Sequence, residues 1–154
     1  MTDERHVPLS DPASNCQMLL ESFIAPLKLE EHFVFPEYFD DFNTFCDEFR
    51  KKLDVLNISG SLAILGVGTD GHTASLYPGQ KIEKQDRVTP VESGHDALAR
   101  VSLSDKELHH YKYKWFLANT NDKLSAVHKA VKITSHYEPI KSLISENTIV
   151  FTQE

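Results

Sequence analysis

"SLAILGVGTDGHTASLYPG", Ser61 to Gly79, decides how the chain is read. Its opening run, "SLAILGV", carries no charge and no helical period, as expected of a strand buried on both faces of a parallel sheet. Gly66, Gly68 and Gly71 then spell G-x-G-x-x-G, the spacing of a dinucleotide-binding turn. Such a site also needs a helix of several turns after the third glycine, and an acidic residue about 20 positions on that ends the next strand. Pro78 and Gly79 come too early for that helix, leaving "HTASL" room for only one or two turns. Asp86 has the right spacing but precedes the next strand candidate and sits in a charged loop. NAD binding is therefore not expected. No Gly-Lys-Ser/Thr follows to make a Walker-type phosphate loop, and Ser75 lacks the flanking glycines of a nucleophile elbow.

What remains is a glycine turn that delivers Asp70 and His72 to the carboxyl edge of a sheet, where open α/β folds bind ligands. The reading places His72 at the start of a short "HTASL" helix. The positive end of that helix disfavours imidazolium and leaves a neutral ring able to accept a proton. Asp70 is then placed to orient the ring, hold a water or touch a substrate hydroxyl. The plainer alternative is that Asp70 and Thr73 only cap the turn and His72 is an ordinary exposed histidine.

Outward from this stretch, the patterns alternate. Asp11–Pro12 reads as a helix entry with Ser10 as N-cap, and Met18, Leu19, Phe23 and Leu27 recur at helical spacing up to the break at Pro26. "HFVFP" (His32 to Pro36) is a strand candidate. Phe42, Phe45, Phe49, Leu53 and Leu56 mark the core face of an amphipathic helix. "RVTPV", "ARVSLS" and "KYKWFLAN" are further strands, and "NTIVFT" closes the series. Asn121 to Val131 reads as a helix with Leu124, Val127, Ala130 and Val131 inward. Strands alternating with helices predict an α/β fold with a mostly parallel sheet, in a single domain over residues 1–154.

The composition limits what such a domain does. A chain of 154 residues with 40% hydrophobic and 25% charged residues is that of one soluble globular domain. A net charge of −7 argues against nucleic acid or an acidic membrane as partner, while leaving room for a small anionic substrate held by two or three converging cations. No apolar run reaches the roughly 20 residues of a membrane span, and "MTDERHVPLSDP" has no signal-peptide core. Cys16 and Cys46 form no C-x-x-C and read as reduced thiols, which makes the cytoplasm the expected location.

Four segments, in order, resemble a known family. "LAILGVGTDGHTASLYPG" resembles the 6-phosphogluconolactonase signature, a strand followed by G-x-G-x-D-G-H-T-x-S-L-F-P. "DERHVPLSDPASN" is similar to the family's D-E-R-x-V-P segment, "ARVSLS" to its R-x-[ST]-L-[ST] strand, and "NDKLSAV" to its lysine-bearing helix. The resemblance implies a three-layer α/β/α fold with a mostly parallel central sheet. It further implies hydrolysis of 6-phospho-D-glucono-1,5-lactone in the oxidative pentose phosphate pathway, with no metal and no cofactor. Carried over residue by residue, His72 falls on the general base and Asp70 on the neighbouring acid. Arg5, Arg100 and Lys123 fall on basic positions near the substrate, with Arg5 and Lys123 favoured for phosphate, and Asp3 falls where it would bind a sugar hydroxyl or brace its loop. A fusion to glucose-6-phosphate dehydrogenase is an arrangement the resemblance implies, and a homodimer paired through the exposed sheet edge of so short a chain is the other expected assembly.

Two family patterns are not matched. Glucosamine-6-phosphate deaminases share the D-G-H turn but carry a glutamate five residues after the histidine, where this chain has Tyr77. The β/α units that precede D-E-R in the family, with their glycine-rich phosphate loop, have no counterpart, so the chain is expected to be an N-terminally truncated form. The alternative function is then a non-catalytic interaction or regulatory relative.

Overall fold

The structure, a computed structural model, describes residues 1–56, 58, 61–81, 86–93 and 96–153. The chain forms two compact units, residues 1–57 with 88–102, and residues 58–87 with 103–154.

In the first unit, strand β1 (Asp3–Arg5) runs antiparallel to β4 (Arg100–Leu103), which also neighbours β3 (Val88–Val91). The β1–β4 register sets Asp3 opposite Ser102, Glu4 opposite Val101 and Arg5 opposite Arg100. Helix α2 (Phe42–Asp54) starts where Asp41 accepts the Thr44 N–H at 2.8 Å. It packs on β3, and most of the phenylalanine stripe read from the sequence is buried. Phe45, Phe49 and Leu53 are buried, while Leu56 lies beyond the helix and is exposed.

Helix α1 departs from expectation. It is Asn15–Leu19, capped by Ser14, not a helix entered at Ser10. Asp11 accepts the Ala13 N–H at 2.8 Å and so holds Pro12 in a turn, and the first helical amides go to Glu4 instead. The helix then widens into a π-helical turn, Leu20–Ile24, with i→i+5 bonds from Ala25 to Leu20 and from Leu29 to Ile24. The extra residue per turn rotates the inward face by one position. Ile24 is buried, whereas Met18, Phe23 and Leu27 are exposed. The expected strand over residues 32–36 is absent: a 3-10 turn (Glu30–His32) leads into backbone that pairs with no strand.

Glu4 has a clear structural task. Its carboxylate, buried from solvent, accepts the Arg5 N–H at 2.6 Å, the Ser14 hydroxyl at 2.9 Å, and the Asn15 and Cys16 amides at 2.9 and 2.6 Å. One side chain thereby satisfies the orphan donors at the start of α1 and fixes it to β1. Glu4→Ala strands those donors and should cost about 2–3 kcal/mol, read as a lowered urea midpoint with unchanged m-value.

The second unit holds a parallel sheet in the order β2 (Leu62–Gly66), β5 (Tyr113–Ala118), β6 (Thr148–Thr152). Helix α4 (Asn121–Ala130) packs on β5, and α5 (Pro139–Leu143) packs on α4 and on α3 (Asp105–His109). The inward face of α4 is Ala126, Val127 and Ala130, with Val131 left exposed. β2 is not buried on both faces. Ala63 and Leu65 alternate with the exposed Ile64, and register continues that open face through Leu117, Ile149 and Phe151, each exposed by 40% or more. No helix among the described residues is long and apolar enough to cross a membrane.

Candidate active site

β2 ends at Gly66 and the chain reverses in a compact turn. The Gly71 amide donates to Gly68 O at 3.0 Å, and the Gly68 amide donates to His72 O at 2.8 Å. The Thr73 hydroxyl donates to Gly66 O at 2.8 Å. Gly71 sits at φ +93, a left-handed conformation that glycine adopts without penalty. The expected "HTASL" helix does not form. Instead Thr73 and Leu76 form a bridge with reciprocal backbone bonds of 3.2 and 2.9 Å, turning through Ala74 at φ 49. A positive φ at the second position of the segment is incompatible with a right-handed helical turn. The helix-dipole argument for a neutral His72 falls with the helix.

Asp70 takes over the orienting role. A single oxygen, Oδ1, lies 2.6 Å from His72 Nδ1 and accepts the His72 backbone N–H at 3.1 Å. The ring is therefore fixed at both its base and its Nδ1 edge. Tyr77 lies alongside, ring centroids 5.1 Å apart. Both side chains of the pair remain about a third exposed, so solvent reaches them. This geometry can hold a water for attack and exchange its proton.

Gly68 is the residue that sequence reading undervalued. A β-carbon there would stand 2.1 Å from His72 Nδ1, 2.3 Å from its Cε1 and 2.6 Å from Asp70 Oδ1. The imidazole thus lies directly on the Gly68 backbone. Gly66, by contrast, has nothing within 4 Å of where its β-carbon would be.

Lys123, half-buried on the first turn of α4 after the Thr120 N-cap, faces a different feature. It lines a cavity of about 470 Å³ with Gly66, Leu117, Asn119, Phe151, Thr152 and Gln153, at the carboxyl edge of β2, β5 and β6. Asp70 and His72 do not line it.

In the first unit, register brings Arg5 and Arg100 face to face across β1 and β4, and a third residue stands with them. Asp96 Oδ2 pairs with Arg5 Nε at 3.0 Å and with Arg100 Nη2. Burial pushes the Asp96 carboxyl upward, but hydrogen bonds from Arg100, the Leu98 amide and Arg5 outweigh it and hold the group at about 2. The one available hint was the i, i+4 spacing of Asp96 and Arg100, which outside a helix carries little weight. Arg5 also donates from Nη1 to Ala13 O at 2.8 Å and to Asn15 Oδ1 at 2.9 Å. Asp3 is half-buried on β1, within 3.5 Å of the Thr2 hydroxyl. Cys16 and Cys46 are buried and not joined in a disulfide; burial and the Glu4 contact push the Cys16 thiol well up, which argues against a thiolate nucleophile.

The chain is 29% identical over 138 residues to the 6-phosphogluconolactonase of Thermotoga maritima, covering 87% of this chain and 62% of that protein. It is 34% identical over 115 residues to the GDH/6PGL endoplasmic bifunctional protein of Oryctolagus cuniculus, covering 68% of this chain and 14% of the relative. The chain thus spans less than two thirds of the length of these relatives. The crystal structure of the Thermotoga maritima lactonase superposes with a TM-score of 0.84 at 26% identity, over 99% of this chain and 70% of that one. The sequence pattern described as "Glucosamine-6-phosphate isomerases/6-phosphogluconolactonase" matches residues 1–151, and so takes in β1 with its arginine, the Asp70–His72 turn and α4 alike. By that match the chain belongs to the glucosamine-6-phosphate isomerases/6-phosphogluconolactonase family.

Proposed function

We propose that this chain hydrolyses 6-phospho-D-glucono-1,5-lactone to 6-phosphogluconate, with His72 as the general base. The observation that carries the reading is the 2.6 Å contact between Asp70 Oδ1 and His72 Nδ1 on the glycine turn. Asp70 holds the proton on Nδ1 and directs Nε2 toward the attacking water. As water oxygen bonds to the lactone carbonyl carbon, Nε2 takes the water proton. Collapse of the tetrahedral intermediate breaks the bond to the ring oxygen, and the Nε2 proton passes to that departing oxygen. The products are a free hydroxyl and a carboxylic acid, which ionises and releases acid. Arg5, Arg100 and Lys123 are the proposed ligands of the phosphate, and Asp3 a ligand of a sugar hydroxyl. Guanidinium forks match phosphate oxygens bidentately, and a lysine adds a point charge.

Two further parts of the proposal concern setting. The two buried thiols, not joined in a disulfide, favour a reducing compartment such as the cytoplasm. The bifunctional name of the rabbit relative favours a fused polypeptide as one form of assembly, a homodimer being the other. The second functional reading, a non-catalytic interaction module, is favoured by the open apolar face of the β2–β5–β6 sheet. Against a deaminase-like reaction stands Tyr77, the residue found five positions after His72 where the deaminase pattern has its glutamate. Substituting His72→Ala should lower kcat/KM for lactone hydrolysis by about 10²–10⁴-fold, measured as acid release at constant pH. An unchanged rate would remove His72 from the mechanism.

A further inference from the structure

Two arginines directly opposite each other on paired strands repel, and the β1–β4 register puts Arg5 and Arg100 in that position. Asp96 resolves the repulsion with one oxygen: Oδ2 meets Arg5 Nε at 3.0 Å and also Arg100 Nη2. Its other oxygen accepts the Leu98 N–H at 3.2 Å. One negative charge between two positive ones leaves a net cation. The Arg100 side chain is only 10% exposed, and its Nε is buried with no hydrogen-bond partner among the described residues. Asp96 is the outer member, 37% exposed. A buried, charged donor without an acceptor beside a more accessible carboxylate describes an anion site that one of the chain's own side chains fills incompletely.

We propose that Asp96 sets affinity and specificity at this arginine pair, its carboxylate standing where the substrate's phosphate binds and yielding to a phosphate but not to a neutral hydroxyl. A phosphate monoester carries about −1.5 to −2 charges at pH 7 and three acceptor oxygens, against one charge and two oxygens for the carboxylate. It can therefore bridge both guanidiniums and reach donors that Asp96 leaves unmet. An unphosphorylated lactone brings no charge to replace the one it must displace. The filter works by competition, and it rests on the assignment of Arg5 and Arg100 to the anionic group of the substrate made above.

The test is calorimetric titration with inorganic phosphate, which needs no turnover and so separates this inference from the lactonase reading. Asp96→Asn should bind phosphate about tenfold more tightly than wild type, the equivalent of one charge-assisted hydrogen bond no longer competed for. Glu92→Gln removes the same charge from an exposed residue and should change affinity by less than about twofold, as expected of screened surface charge. A chain that shows this tightening yet fails to hydrolyse the lactone keeps the inference and loses the enzyme. Phosphate binding that is unchanged or weaker in a folded Asp96→Asn chain overturns it, weaker binding marking Asp96 as a brace for the arginines. The wild type gives an independent reading by nuclear magnetic resonance. Phosphate should shift the Leu98 amide as Asp96 lets go of it, and a Leu98 signal that stays fixed at saturating phosphate contradicts displacement.

Discussion

Gly68→Ala should lower kcat/KM for lactone hydrolysis by about 100-fold or more while leaving the circular dichroism spectrum in place. The added methyl would stand 2.1 Å from His72 Nδ1 and 2.6 Å from Asp70 Oδ1, so either the imidazole or the backbone turn must move by more than an ångström. The Asp70–His72 contact is lost in both cases. That contact is a matter of orientation, and displacements of this size in a reacting group cost about two orders of magnitude. Gly66→Ala is the matched control. It adds the same methyl two residues away, where nothing lies within 4 Å, and should leave the Asp70–His72 contact in place and kcat far less reduced than in Gly68→Ala. Equal losses in the two variants would show that the turn tolerates no side chain anywhere, and that the His72 ring is not what Gly68 accommodates.

The largest effect on stability is expected at Arg87. Its Nε and Nη2 donate to the two carboxylate oxygens of Glu107 at 3.0 and 2.6 Å, a bidentate pair in which Glu107 is 1% exposed. The pair fastens the segment before β3 to α3, where Ser104 accepts the Glu107 amide at 3.0 Å and donates its hydroxyl to Asp86 O at 2.5 Å. Arg87→Ala strips this bidentate partner from a buried carboxylate, with His110 3.7 Å away. Breaking such a pair from one side costs about 3–5 kcal/mol, which lowers Tm by roughly 10 °C in a chain of this size. The same substitution should leave KM nearly unchanged at a temperature where the variant is folded, because Arg87 has no part in the proposed chemistry. A Tm within about 2 °C of wild type would mean that the ion pair contributes no more than a surface one.

The parts of the fold legible in the sequence are those set by neighbours along the chain. The phenylalanine stripe of α2 shows because helical spacing and burial coincide at Phe45, Phe49 and Leu53. The Asp70–His72 pair shows because glycine, aspartate and histidine lie within a few residues of one strand end. What could not be read depends on distant partners. The Arg5–Asp96–Arg100 cluster exists only through the β1–β4 register, which joins residues about 95 positions apart. Glu4 looks like any exposed acid until α1 is placed over it. The π-helical turn moves Ile24 inward in place of Phe23 through a single added residue, which a fixed 3.6 period cannot anticipate. The missing "HTASL" helix has a local cause: Ala74 at φ 49 closes a tight turn where a helix would need negative φ throughout. Its loss changes how His72 is held, from a helix dipole to a carboxylate, with His72 still the centre of the proposal.

That centre is tested most directly by the rate of acid release from 6-phospho-D-glucono-1,5-lactone. The purified wild-type chain and its His72→Ala variant should be measured side by side against spontaneous hydrolysis. Saturable release well above the spontaneous rate in the wild type, falling by about 10²–10⁴-fold in the variant, is the predicted result. A cooperatively folded wild type no faster than spontaneous hydrolysis would contradict it.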